Sequence, residues 1–308
     1  ILENCDAIEQ GFEGTPHLTT YAVKANSNVH LLKLIAEQGL GADVGSRGEL
    51  FLARKAGFPP SKISFSGVGK RNDEIEYALQ QNILAYNVES EEEIQVISTI
   101  ASTLNRKARI LLRINLDLDA GTHAYISTSK KQNKFGIASH RAAEVLARAL
   151  QLPSIDVRGI HSHIGSQITN VDAFVSAASM LSKLVGELRR GGLPVHDLDF
   201  GGGFGVQYRG FVQHEILPHE ESHEAETNVG NFIRRVLPIL KETGCNIAIQ
   251  PGRSVVANAG VLLTKVLYRK EENGKLFIIV DGGMNDLIRP SLYQAYHQIV
   301  PLRLNHLP

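Results

Sequence analysis

The chain has 308 residues, with 32 Lys and Arg against 32 Asp and Glu and a formal net charge of zero. That balance lacks the basic excess that nucleic-acid binding or attachment to an anionic membrane needs. Its 43% hydrophobic fraction can fill a large core, no apolar run approaches the ~18 residues of a membrane span, and two cysteines, Cys5 and Cys245, are too few for a disulfide scaffold or a cysteine-rich zinc module.

Free thiols fit a reducing compartment, so the cytoplasm is the expected location. The sequence starts at Ile1 with no signal-like segment and stops at His306-Leu307-Pro308, and it reads as a piece of a longer protein.

Along the chain, short β-branched runs alternate with longer amphipathic stretches. Strands are predicted at 18–23 (LTTYAV), 41–44, 62–65, 83–86, 109–114, 157–163, 197–200 and 246–250. Helices are predicted at 28–38, 46–56, 71–81, 89–101, 139–150, 171–190 and 227–243. Ser46 with Glu49, and Ser90 with Glu93, have capping-box spacing. Gly39, Gly57 and Gly244 stand just past helix ends. Strands joined by single helices pair in parallel through right-handed crossovers, and eight such units predict a closed (β/α)8 TIM barrel over 1–253. From 254 to 308 the helices stop. Runs at 255–268 and 275–280 flank a turn at Glu271-Glu272-Asn273-Gly274, which reads as part of a second, β-rich domain.

Barrels of this kind carry their chemistry at the C-terminal ends of the strands. Those ends hold Lys24, Asp43, Ser66, Asn87, Asn115, His161 with His163, a glycine loop, and Gln250-Pro251-Gly252-Arg253. The loop Gly201-Gly202-Gly203-Phe204-Gly205 follows strand seven, where backbone N–H groups can converge on a phosphate. A tight turn built for flexibility is the plainer explanation. Gly252 after strand eight adds another donor. With no Walker lysine, a phosphorylated cofactor fits better than a nucleoside triphosphate.

Most lysines at strand ends are merely exposed. Alternation places Lys24 with Ala22 on one face of strand one, and a lysine aimed into a barrel mouth offers a nucleophilic amine. Pyridoxal 5'-phosphate needs such an amine together with an anion site. His161 and His163 share a strand face. They could be a buried hydrogen-bonded pair, or metal ligands for which only Asp43 offers a partner, or a platform with His163 stacked on a planar ring, the reading preferred here. His219-Glu220-Glu221-Ser222-His223 matches a zinc-protease pattern, yet Pro218 and acidic flanks make it a solvated loop, and no metal is expected.

These residues resemble the diaminopimelate decarboxylases, which have the alanine-racemase-like fold and bind pyridoxal phosphate. The likeness rests on Tyr21–Asn26, Gly41–Leu50, Gly159–Gln167, Gly201–Gly205, Pro251–Arg253 and Arg289–Tyr293, with His123–Thr128 and Lys134–Ile137. It implies that Lys24 carries the cofactor and His163 stacks on its ring. Ser166, Gly201, Gly202, Gly203 and Gly252 would bind the phosphate, with Asp43 and Gln250 also at the cofactor. Arg253, Arg289 and Tyr293 would hold the substrate's distal carboxylate. The resemblance implies decarboxylation of meso-diaminopimelate to L-lysine and CO₂ by a homodimer with shared sites. The family has Glu where this chain has Gln250, before Pro-Gly-Arg, and its C-terminal Cys segment has no match after Tyr293. A racemase, a decarboxylase of another basic amino acid, or a non-catalytic cofactor-binding relative are the alternatives this leaves.

Overall fold

The computed structural model describes residues 1–118, 134–208 and 228–302. The chain divides into two compact units, Ile1–Val206 with Ala225–Ala257, and Gln207–Glu224 with Asn258–Pro308.

The first unit is built from α1 (Leu2–Gly11), β1 (His17–Ala22), α2 (Val29–Glu37), β2 (Gly41–Val44), α3 (Arg47–Ala56), β3 (Ile63–Phe65), α4 (Asn72–Gln81), β4 (Ala85–Val88) and α5 (Glu91–Thr103). It continues with β5 (Ala108–Asn115), β6 (Ile137–Ala138), α6 (Ala142–Ala149), β7 (Ile155–Ser162), α7 (Val171–Arg190), β8 (Asp197–Asp199), α8 (Val229–Glu242), β9 (Asn246–Ile249) and α9 (Arg253–Val256). All its strand pairs are parallel. The order β4-β3-β2-β1-β9-β8-β7-β5 closes through a β4–β5 pairing, which makes the eight-stranded (β/α)8 barrel, and the short β6 pairs with the upper end of β5.

Helices and strands fall where the apolar period changes. The α7 face made by Phe174, Ala177, Ala178, Leu181, Leu184, Val185 and Leu188 is buried at a spacing of three and four. Each large side chain so buried contributes ~1.5–3 kcal/mol. The predicted caps form: Ser46 Oγ accepts from Glu49 N at 3.2 Å and Ser90 Oγ from Glu93 N at 3.1 Å. Gly57 ends α3 at φ 101°, which a side chain disfavours.

Four features differ from the sequence expectation. Helix α1 and the two-residue β6 were not anticipated. Strand one stops at Ala22, and Lys24 sits in a 3₁₀ turn, Val23–Ala25, so strand alternation does not aim it. The run 255–268 is not one strand. Val255 is fully buried in the barrel unit, where Asn4 Nδ2 donates to Val255 O at 2.9 Å, so the chain there forms the helical turn α9.

The second unit contains the antiparallel hairpin β10 (Val266–Glu272) and β11 (Lys275–Val280), followed by α10 (Arg289–Tyr293). Asn273 and Gly274 turn it at φ 52° and 72°, the left-handed pair a two-residue hairpin needs. Among the described residues, no helix is long and apolar enough to cross a membrane.

Candidate active site

The C-terminal ends of β2, β3, β4, β7, β8 and β9 share a buried polar network. Asp43 Oδ1 accepts from Ser64 Oγ (3.1 Å), Ser66 Oγ (2.5 Å) and Gln250 Nε2 (3.1 Å). Gln250 Nε2 also donates to Asp199 Oδ2 at 2.8 Å, and Gln250 Oε1 lies 3.1 Å from His161 Nε2. Two carboxylates on one side of the amide and an imidazole on the other fix its orientation. Gln250 spends both amide protons on Asp43 and Asp199, and its oxygen accepts from His161 Nε2–H. His161 Nδ1 is then an acceptor, buried and unpartnered. A neutral amide suits this position because a third carboxylate there would face two others.

Asp199 Oδ1 accepts from Gly201 N at 2.9 Å, and Asn87 Nδ2 adds a longer contact at 3.4 Å. Burial still dominates and pushes the Asp199 carboxyl up to about 7. Burial likewise raises Asp43, against the nearby Lys24 charge. A raised carboxyl costs nothing where both folded and unfolded chains are protonated. The cost grows as pH rises from about 4 to about 7 and is complete above that. Asp199→Asn is therefore expected to flatten the decline in stability of the cofactor-free protein across pH 4–7. Denaturant melts at several pH values read the slope, and an unchanged slope contradicts the assignment.

The two histidines are neutral, held well below their ordinary value by burial, with the Lys24 and Arg113 charges adding to it. Gly202 N donates to His163 Nδ1 at 3.3 Å, which leaves the proton on Nε2 and sets the ring's tautomer.

Lys24 stands exposed on its 3₁₀ turn, and its charge acts on Asp43, Glu49, His161 and His163. Tyr21 Oη donates to Asn26 O at 3.1 Å and Ala22 N to Pro251 O at 2.9 Å, so the turn is tied at both ends. A Cβ on Gly252 would lie 3.1 Å from that of Ala22 and 3.2 Å from that of Ala25, so this glycine lets the β9 loop lie against the lysine turn.

The glycine loop is packed more tightly than flexibility requires. A Cβ on Gly201, Gly202 or Gly203 would lie 2.1, 2.0 or 2.3 Å from the carbonyl oxygens of Ser162, Gln250 and Gly165. Gly201 N–H is spent on Asp199, and Gly202 N–H points at His163. Gly203 N–H has no acceptor among the described residues. Arg253 Nη2 donates to Ser166 Oγ at 3.3 Å, which brings this arginine to the anion side.

Arg289 and Tyr293 belong to the second unit, where the Arg289 guanidinium lies 4.2 Å over the Tyr208 ring and bonds His297 Nε2 at 2.8 Å. The segments His123–Thr128 and His219–His223 lie outside the described residues.

Sequence reading missed several charged groups. Arg113, in β5, pairs with Glu89 at 2.5 Å, both nearly buried, and stacks over Phe135 at 4.8 Å. Gly136 N donates to the same Glu89 at 2.8 Å. Lys70 Nζ bonds Gly67 O, Asn87 O and Glu93 Oε1 at 2.8, 2.8 and 2.6 Å. The available signal was an arginine inside the apolar strand RILLRI.

The mouth thus gathers an amine, a neutral imidazole and an anion cradle, the groups needed by a flat phosphorylated aldehyde. Residues 1–257 match the sequence model of the pyridoxal-dependent decarboxylases, pyridoxal binding domain. The chain belongs to this family of carboxy-lyases, which use pyridoxal 5'-phosphate. It is 42% identical to the diaminopimelate decarboxylase of Aquifex aeolicus over 98% of this chain and 69% of that one. The diaminopimelate decarboxylase of Vibrio cholerae is 46% identical, with 96% and 68% covered. The crystal structure of the Helicobacter pylori diaminopimelate decarboxylase complexed with L-lysine superposes with a TM-score of 0.90 at 41% identity, covering 99% of this chain and 73% of that one. The donor set here fits pyridoxal 5'-phosphate: Gly203 N–H and Ser166 beside Arg253 suit its phosphate, and neutral His163 suits its ring.

Proposed function

We infer that the chain decarboxylates meso-diaminopimelate to L-lysine and CO₂, a step of lysine biosynthesis. The observation that carries this is the meeting of Lys24, His163 and the 201–203 loop at one barrel mouth, in a chain alike over nearly its whole length to diaminopimelate decarboxylases. When bound, pyridoxal phosphate supplies an aldehyde for amines and a ring that accepts the electron pair left as CO₂ departs.

The protein's own groups then have distinct tasks. Lys24 would hold the cofactor through its amine, the place that a substrate amine would compete for. His163, with Nδ1 occupied by Gly202 N–H, presents a neutral ring face. Gly203, Gly252 and Ser166 bind the phosphate, and Arg253, expected from the sequence at the substrate's carboxylate, joins them because it already donates to Ser166. Gly201 and Gly202 serve by close approach, since their N–H groups are committed to Asp199 and His163. Asp43 and Gln250 line the site beneath. Arg289 and Tyr293 are left to hold the distal carboxylate, for which an arginine fork is suited. The reading extends to a cytoplasmic homodimer with shared sites, and to a cofactor-binding barrel that includes α9, with a β-domain after it.

Incubation with pyridoxal phosphate and meso-diaminopimelate is expected to release lysine and CO₂ in equal amounts. The neutral Gln250 amide favours two other readings, a racemase and a silent cofactor binder. Exchange of the substrate α-hydrogen without CO₂ would establish the former, and cofactor absorbance changes without turnover the latter.

A further inference from the structure

We propose that Gln167 is a positioning residue for the phosphate cradle, clamping the 201–206 loop onto the 163–168 loop. This rests on the phosphate reading above. Gln167 has φ 59°, a left-handed conformation that glycine adopts readily and glutamine does not. Something must hold it there. Both ends of its carboxamide bond one residue of the other loop: Nε2 donates to Val206 O at 2.7 Å, and Val206 N donates to Oε1 at 3.3 Å. The side chain so pairs with backbone as a neighbouring strand would.

The next residue continues the seam. Ile168 bridges Phe204 in parallel, Ile168 N donates to Gly203 O at 3.0 Å, and Gly205 N donates to Ile168 O at 2.9 Å. Phe204 is anchored below by stacking on Phe174, with ring centroids 4.9 Å apart. The seam fixes Gly203, whose carbonyl is committed to Ile168 while its own N–H has no acceptor among the described residues. On the other side it fixes Ser166, adjacent to Gln167 and bonded by Arg253. Gln167 has spent both polar atoms on Val206, so it acts on the anion only through these neighbours. Releasing it lets the two halves of the cradle part, which weakens the hold on a phosphate and leaves the lysine and imidazole alone.

The test uses two variants of the full chain. Gln167→Gly removes the clamp and also relieves the left-handed strain, and Gln167→Met keeps the bulk without the hydrogen bonds. Absorbance titrations give the affinity of each for pyridoxal 5'-phosphate and for phosphate-free pyridoxal. Calorimetry gives the affinity of the cofactor-free protein for inorganic phosphate. Pyridoxal phosphate and inorganic phosphate are expected to bind about tenfold more weakly to either variant, the loss of two net hydrogen bonds, and pyridoxal to bind within twofold of wild type. A parallel fall for pyridoxal would reveal general loosening and overturn the proposal, as would unchanged phosphate affinity in whichever variant folds. A wild type that does not prefer the phosphorylated form would instead overturn the phosphate reading beneath it.

Discussion

Lys24→Ala is expected to lower decarboxylation by ~10³-fold or more, as removal of a covalent catalytic group does, while barely changing thermal stability. The second half of that expectation comes from its setting. Lys24 is exposed on a 3₁₀ turn that Tyr21 and Pro251 hold without its side chain. Borohydride reduction of the wild-type protein with pyridoxal phosphate, followed by peptide mass mapping, is expected to place the cofactor mass on Lys24. The variant is expected to take up none. A label on Lys70 or another lysine would show that the wrong amine was chosen. Lys70 is a poor rival because its ammonium is buried against three acceptors, with nothing left for an aldehyde.

Gln250→Glu is expected to have the next largest effect, in a direction the sequence alone does not give. The family's glutamate at this position would be expected to strengthen a bound cofactor's electron sink and raise turnover. In the structure the Gln250 amide donates to Asp43 and Asp199 at once. Glutamate would replace two hydrogen bonds by two repulsions in a buried place. The cofactor-free variant is expected to lose about 3 kcal/mol of stability near pH 8, the scale set by an uncompensated buried charge. The new carboxyl would be raised in the folded state. Its cost is absent at low pH, where both states are protonated, and grows as pH rises through neutrality. Thermal melts at pH 5 and pH 8 should therefore diverge further from wild type at pH 8. Equal shifts at both values would mean that the three acidic groups do not interact. Turnover of the loaded variant then reports whether the cofactor's ring nitrogen can relieve the crowding.

The barrel itself was open to reading because its signals are local. Period two followed by period 3.6, with Ser46 and Ser90 opening helices and Gly57 closing one, occurs within windows of about a dozen residues. The strand-end rule then brought Lys24, Asp43, His163, the glycines and Gln250 to one mouth. What stayed hidden depends on partners far apart in the chain. Arg113 meets Glu89, and Gln250 meets Asp43 and Asp199, only after the ring closes. The run 255–268 misled for the same reason. Its β-branched residues have strand propensity, but Val255 is claimed by packing in the barrel unit beside α1, and burial overrides propensity. For the glycine loop the sequence offers an anion site and, as the plainer explanation, a flexible tight turn. Structure adds that the carbonyls of Ser162, Gly165 and Gln250 would strike any side chain there, which no local pattern can reveal.

The β1–β9 seam has a consequence for how the molecule is made. Strand β1 emerges early in synthesis, yet its partner on one side is the last strand of the ring, and Thr20 Oγ1 reaches Ile249 O across 229 residues of sequence. Closure over so long a loop is entropically slow. Until it happens, a nascent chain displays β1 with an unpaired edge, and the Pro251–Gly252 wall beside Lys24 does not exist. The amine, the imidazole and the glycines therefore come together only at the end, and vitamin-derived cofactor added during translation has nothing to bind before the barrel is complete.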